Sequence, residues 1–460
     1  MNTATRPTPG PVRPYEFPAV HRNSLANGVR LLVAPMPRLP IVTVLALVDI
    51  GAARERSGEE GVAVLTARTL TEGAAGLDGA ALAARLEGLG AAIVTEADWD
   101  STVAQFTTTS DRVDAAFRLF AEVVRAPSFP ARDVQRLRDE RLAEIAQQLA
   151  EPRGLADERF DGFLFAPTAR YAQATAGSVR SVRDLEHDLV AAFHASSYGP
   201  AATTLIFVGD TTPSRAMELA DAGFGGWSSG VGGNPVGPRV DAARSGGRRT
   251  IVVSKADAPQ AELRVGHLGV PRSHPEYLTI SVMNAILGGL FSSRINLNLR
   301  EKNAFTYGAS SLFDWRRGAG PFVVSTAVKS EVSGRAVQEI IAEIEGMRQA
   351  PPSASELDLA TKYLAGIFPI RYETTAAVAA ALARATVFGL GDEWFREYRE
   401  RIRAVTAEGV HAAARAHLDP ARLLVLAVGD PSVIEGPLAS AGVGAVSVVS
   451  ADADPTEDSR

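Results

Sequence analysis

Residues 204–210 read "TLIFVGD" and residues 423–430 read "LLVLAVGD". Each is an apolar run ending in Val-Gly-Asp, and the two triplets lie 220 residues apart. Three further markers keep nearly the same offset. Pro200 and Pro420 precede the two strands, "AGFGGW" (222–227) answers "AGVGAV" (441–446), and "ADW" (97–99) answers "FDW" (313–315). Four ordered markers at one spacing indicate a duplication, and a period this long means duplicated domains rather than a solenoid.

The duplicated unit can be read outward from these strands. Each half opens with two apolar strands, "VRLLVAP" and "IVTVLALV" (29–35, 41–48) and then "RTIVVSK" and "AELRVGHLGV" (249–255, 261–270). A helix follows, then alternating strands such as "STVAQFTTTS" (101–110) and "PFVVSTAVKS" (321–330). Long helices come next, including "ARDVQRLRDERLAEIAQQLAE" (131–151) and "ASELDLATKYLAGIF" (354–368). Strands in blocks and helices in blocks predict an α+β fold: two homologous domains, each a mostly antiparallel sheet with helices on one face. The Gly-, Pro- and Ser-dense stretch 228–249 reads as the linker. The domains are therefore expected at 19–227 and 250–449, with flexible tails at 1–18 and 450–460.

Bulk composition narrows the chemistry. The 460 residues carry a formal net charge of −6, which argues against a nucleic-acid binder. There is no cysteine, so disulfides, thiolate metal sites and a cysteine nucleophile are excluded. The N-terminus lacks a signal-peptide layout, and "IVTVLALVDIGAA" (41–53) is too short to span a bilayer. No membrane association and a cytoplasmic location are expected. The seven histidines include no pair at i, i+3 or i, i+4, and no Ser-nucleophile elbow is visible.

The order of strand pair, Gly-bounded helix and long helices, repeated after a linker, resembles the pitrilysin and mitochondrial processing peptidase family over roughly residues 20–447. In that family the first helix bears H-x-x-E-H, two zinc-binding imidazoles one turn apart and a Glu that polarises the metal-bound water. Here the helix reads "GVAVLTARTL" (61–70). Val64 and Arg68 stand at the imidazole positions and Ala67 at the base. Glu144, 80 residues after Val64, matches the later Glu ligand. The resemblance thus implies an emptied zinc site, with an Arg68–Glu144 ion pair expected in it. Read alone, those ten residues favour an ordinary amphipathic core helix, and only the frame of the whole chain reverses that reading.

In the second half, "LGGLFSSRINLNLREKNAFTYGASS" (287–311) resembles the family segment that supplies an Arg and a Tyr seven residues apart, here Arg300 and Tyr307. The resemblance gives them the task of holding a substrate peptide and stabilising the transition state at a zinc site across the chamber. The bland alternative makes Arg300 part of a solvated basic face and Tyr307 a half-buried strand aromatic. The expected function is a non-catalytic subunit of a heterodimeric zinc metallopeptidase. Its partner would be a homologous chain carrying H-x-x-E-H and the zinc, with no cofactor in this chain. The alternative is a structural or peptide-binding subunit without a role in catalysis.

Overall fold

The computed structural model describes residues 14–228, 244, 246–256 and 258–455. Most of the expected linker and the outer parts of both tails lie outside the described residues.

Twelve strands build two six-stranded sheets. The first contains β1 (His21–Ser24), β2 (Arg30–Pro35), β3 (Ile41–Val48), β4 (Val94–Ala97), β5 (Thr102–Thr109) and β6 (Thr203–Gly209), in the order β1-β2-β6-β3-β5-β4. The second contains β7 (Arg249–Ser254), β8 (Gln260–Leu268), β9 (Ala309–Phe313), β10 (Pro321–Lys329), β11 (Leu424–Gly429) and β12 (Ala445–Val449), in the order β9-β10-β8-β11-β7-β12. Read from opposite ends, the two orders superimpose, and the two Val-Gly-Asp runs, in β6 and β11, hold the same interior place. In each sheet that strand runs parallel to one neighbour and antiparallel to the other. Only the outer strand differs: β1 is antiparallel to β2, whereas β12 is parallel to β7. The duplication and the α+β class are thus visible in strand order.

Six helices matter below: α1 (Val62–Thr69), α2 (Ala131–Ala150), α3 (Pro152–Leu164), α4 (Tyr277–Asn284), α5 (Ala354–Arg371) and α6 (Thr375–Val387). Each half packs helices on one face of its sheet, as expected. The other face is covered by a helix of the opposite half. α3, from the first half, lies on β8 and β11, where Leu155, Phe160 and Phe163 meet Val253, Leu424 and Leu426. α6, from the second half, lies on β3 and β6, where Val378 and Leu382 join Leu45, Leu47 and Ile206. This exchange explains why β6 and β11 are buried at every residue. A strand covered on both faces reads as a continuous apolar run.

The seam between the halves is pinned by polar groups. Arg316, in the turn between β9 and β10, donates to Asp161 of α3 at 2.7 Å and pairs with Asp314 at 2.6 Å. Its guanidinium stacks against Trp99 at 4.5 Å and Tyr171 at 4.8 Å. Burial alone would weaken its hold on the proton, but the two carboxylates more than offset that and push its pKa up. Arg317 donates from its backbone to Asp100 at 2.9 Å and from its side chain to the Val387 carbonyl at the end of α6.

Two expectations shift. Residues 14–18 are packed, since Phe17 stacks on Phe395 at 3.9 Å and Tyr15 meets Phe368 edge-on. The 450–455 stretch is also held, with Ala451 accepting from Arg159 and Pro455 seated over Gly162. The run Tyr277–Lys302 is long and apolar enough to cross a bilayer. Its backbone leaves the helix at Leu290, however, and over half of its most apolar stretch is buried inside the fold, as in a core helix.

Removing Arg316 strands two carboxylates at the seam. Breaking a buried pair from one side typically costs about 3–5 kcal/mol. Arg316→Gln should lower stability by about that amount in urea or guanidinium titrations. A loss below about 1 kcal/mol would show that the seam does not depend on this cation.

Candidate functional site

Helix α1 begins at Gly61, whose left-handed φ of 99° lets the chain turn into the helix; a Cβ there would also meet the Ala176 carbonyl at 2.8 Å. Its first turn is held from outside. Glu55 accepts from the backbone N–H of Gly61 at 3.1 Å and of Ala63 at 2.8 Å. Arg170, 115 residues on, clamps the same carboxylate, and both side chains are almost wholly buried. A carboxylate satisfies the orphan donors and the positive end of the helix. Val62, Leu65, Thr66 and Ala67 face the core. Val64 and Arg68, one turn apart on the same side, are only partly buried.

Arg68 reaches α2 and meets Glu144 in a two-pronged pair, Nη1 to Oε1 and Nη2 to Oε2, both at 2.9 Å. Arg141, one turn before Glu144, adds a third bond at 3.2 Å. The hydrogen bond from Arg68 is the main reason the Glu144 carboxyl lies below its ordinary pKa; partial burial opposes it, and Arg141 adds to the lowering. Of the four singled-out positions, the structure therefore joins Arg68 to Glu144 and leaves Val64 and Ala67 with no polar atom to offer. A single carboxylate already held by two guanidinium groups is a poor donor set for a divalent metal.

The second-half residues occupy a different setting. Tyr307 is 93% exposed and Phe291 73% exposed. Both line a groove of about 490 Å³, together with Gly288 and Gly289 at the end of the helical run from Tyr277 and with Arg153 of α3. Arg300 does not join the basic face that its neighbours suggested. Its guanidinium stacks over Phe291 at 4.5 Å and approaches Glu301 at 3.5 Å. Tyr307 is not a half-buried strand residue either, because β9 starts only at Ala309. Arg300 thus reaches the groove through Phe291, a residue the motif reading passed over although it stands in the quoted "GGLFSSR".

The outer sheet edges differ between the halves. On β9, Asn296 accepts from Ala309 N–H and Asn284 donates to the Ser311 carbonyl, both at 3.0 Å, so the free edge is covered. On β4, beside α1, the described residues show no such cover. One other group brings metal-ligand side chains together among the described residues: His274, Glu276 and His417, within 4.8 Å of one another. Sequence spacing could not show this, as His417 comes from a distant helix. Its groups already satisfy each other, with His417 against the Glu276 carboxylate at 2.7 Å and His274 Nδ1 accepting from Glu276 N–H.

Comparison with known proteins follows the same division. Residues 32–174 match the model described as insulinase (peptidase family M16), and residues 184–364 match the M16 peptidase inactive domain. An uncharacterized zinc protease of Mycobacterium tuberculosis is 23% identical over 411 residues, covering 89% of this chain and 93% of that protein. Subunit 1 of the bovine mitochondrial cytochrome b-c1 complex is 23% identical over 59% of this chain and 56% of its own length. Among solved structures, an M16 inactive domain from Pseudomonas fluorescens has 28% identity and a TM-score of 0.80, covering 89% of this chain and 98% of that one.

Two outcomes test the site. Replacing Val64→His, Ala67→Glu and Arg68→His together should create zinc binding above the wild-type level, measured by chelator competition on both proteins. Adding Glu144→Gln should remove the gain. A folded triple variant that binds no more zinc than wild type places the helix in another frame. Separately, a carboxyl with a lowered folded-state pKa contributes stability above its unfolded pKa and loses it as pH falls. The stability gap between wild type and Glu144→Gln should therefore be full above about pH 4.5 and close below it. A gap unchanged in strong acid would mean the Arg68 pair does not hold the charge.

Proposed function

The chain belongs to the M16 peptidase family, and from that premise we propose that it is a non-catalytic subunit of a heterodimeric zinc metallopeptidase. The observation that carries this reading is the Arg68–Glu144 pair, at the positions the family gives to an imidazole and the third ligand. In it the chain offers neither a general base nor an imidazole. Zinc is then supplied by a homologous partner carrying H-x-x-E-H. This chain's contribution is the exposed Tyr307 hydroxyl and the Arg300 guanidinium. A phenol O–H aimed at a scissile carbonyl strengthens its hydrogen bond as negative charge develops on oxygen, which favours the transition state over the bound peptide. Arg300, resting on Phe291, is the candidate donor to a peptide carbonyl. An uncovered strand edge such as β4 accepts an extended peptide through backbone bonds with little demand on sequence.

A second reading, a structural or peptide-binding subunit without a catalytic role, is favoured by the likeness to a cytochrome b-c1 subunit. Activity separates the two. With the partner added, peptide hydrolysis should appear that neither chain has alone. Tyr307→Phe in the assembled complex should lower kcat by about 10²–10³, the usual cost of one oxyanion donor. An assembled Tyr307→Phe complex with nearly full turnover would leave the structural reading standing.

A further inference from the structure

The groove between Phe291 and Tyr307 has a chemistry of its own, beyond positioning a scissile bond. Its walls are two aromatic rings turned to water, with Phe291 73% and Tyr307 93% exposed. Phe291 is held outward by Arg300 over its ring at 4.5 Å and by Asn296, which donates to its backbone carbonyl at 2.5 Å. The floor is made of small residues, among them Gly289, Gly308, Ser310 and Ala327.

The charges of the groove are unevenly satisfied. Arg264, at its inner end, is neutralised by Asp157 at 2.7 Å and Glu262 at 3.0 Å. Arg153 has no hydrogen bond or ion pair from its side chain among the described residues. The groove therefore combines exposed aromatic surface with a cation, Arg153, that has no counter-charge among the described residues. Exposed aromatic surface beside a polar rim marks a recognition site rather than a solvated face.

We infer that this groove is a side-chain subsite for extended peptides that place a large apolar residue between Phe291 and Tyr307 and a carboxylate at Arg153. The inference rests on the peptide-handling reading of Arg300 and Tyr307 and names the substrate class for it. A volume of about 490 Å³ takes one large side chain with its flanking backbone. In an extended chain, which advances ~3.3 Å per residue, side chains two apart share a face, so the test peptides place the carboxylate two residues from the apolar anchor. Arg153 comes from the first half and the aromatic wall from the second, so the subsite exists only because α3 crosses the seam.

Gly308 supplies a clean test. A Cβ built there meets nothing nearer than Asn296 Oδ1 at 3.9 Å, so a larger side chain fills the groove without moving the backbone. Dye-labelled unstructured peptides containing Phe-Ala-Asp, Ala-Ala-Asp or Phe-Ala-Asn are titrated into the full chain by fluorescence anisotropy. The Phe-Ala-Asp peptide should bind about tenfold or more tighter than Ala-Ala-Asp, the usual size of discrimination by an apolar pocket. Gly308→Val should erase that preference, and Arg153→Gln should erase the advantage of Asp over Asn. Equal or undetectable binding of all three peptides, or a folded Gly308→Val protein that keeps the preference, overturns the inference. Turnover of the Tyr307→Phe complex is read in parallel. A kcat loss without any peptide preference sinks the subsite but keeps the catalytic role, whereas a preference without a kcat loss does the reverse.

Discussion

A six-stranded sheet that is apolar on both faces cannot stand in water with helices on one side only. The whole molecule follows from how that second face is closed. Each half lends a helix to the other: α3 covers β8 and β11, and α6 covers β3 and β6. At ~25 cal/mol per Å² of apolar surface removed from water, neither half would keep its sheet dry alone. The seam this creates cannot be wholly apolar, because the turn carrying Arg316 and Arg317 passes through it. Two carboxylates and a ring of aromatics solve that problem for Arg316, and a helix-end carbonyl with Asp49 solves it for the Arg317 guanidinium.

That architecture also separates what holds α1 in place from what α1 presents to solvent. The Arg68–Glu144 pair is partly open to solvent, and exposed pairs contribute only about 0–1 kcal/mol. It does not hold α1. The helix is held by the core residues on its inner side and by Glu55, buried under Arg170 and bonded to the first-turn N–H groups. Support and chemistry come from different residues, so positions 64, 67 and 68 could change while the backbone stayed.

The two halves have diverged in complementary directions. In the first, the edge strand β4 is uncovered among the described residues, and the helix beside it carries the Arg68–Glu144 pair. In the second, asparagines close the edge of β9, and Phe291 and Tyr307 stand exposed. Gly288 could not be any other residue without a shift, since a Cβ there would strike Ser311 at 2.4 Å. A duplicated scaffold has thus been left with surface chemistry concentrated on one copy.

The sequence by itself determined the duplication, the α+β class, the buried Val-Gly-Asp strands and the frame that sets Arg68 against Glu144. The first three are properties of order and period, since apolar runs repeat at a fixed offset; the frame that pairs Arg68 with Glu144 came from the resemblance to the zinc-motif helix. Only the tertiary structure decided which helix covers which sheet, that Glu55 meets Arg170, that Arg300 rests on Phe291, and that Arg153 and Tyr307 line one groove. It also tied down residues 14–18 and 450–455, which composition alone assigns to tails. The reason is physical. A continuous apolar strand reports that both faces are buried but carries no label for the partner. A charged residue reports its own charge but not the counter-charge or ring that chain folding brings within 5 Å.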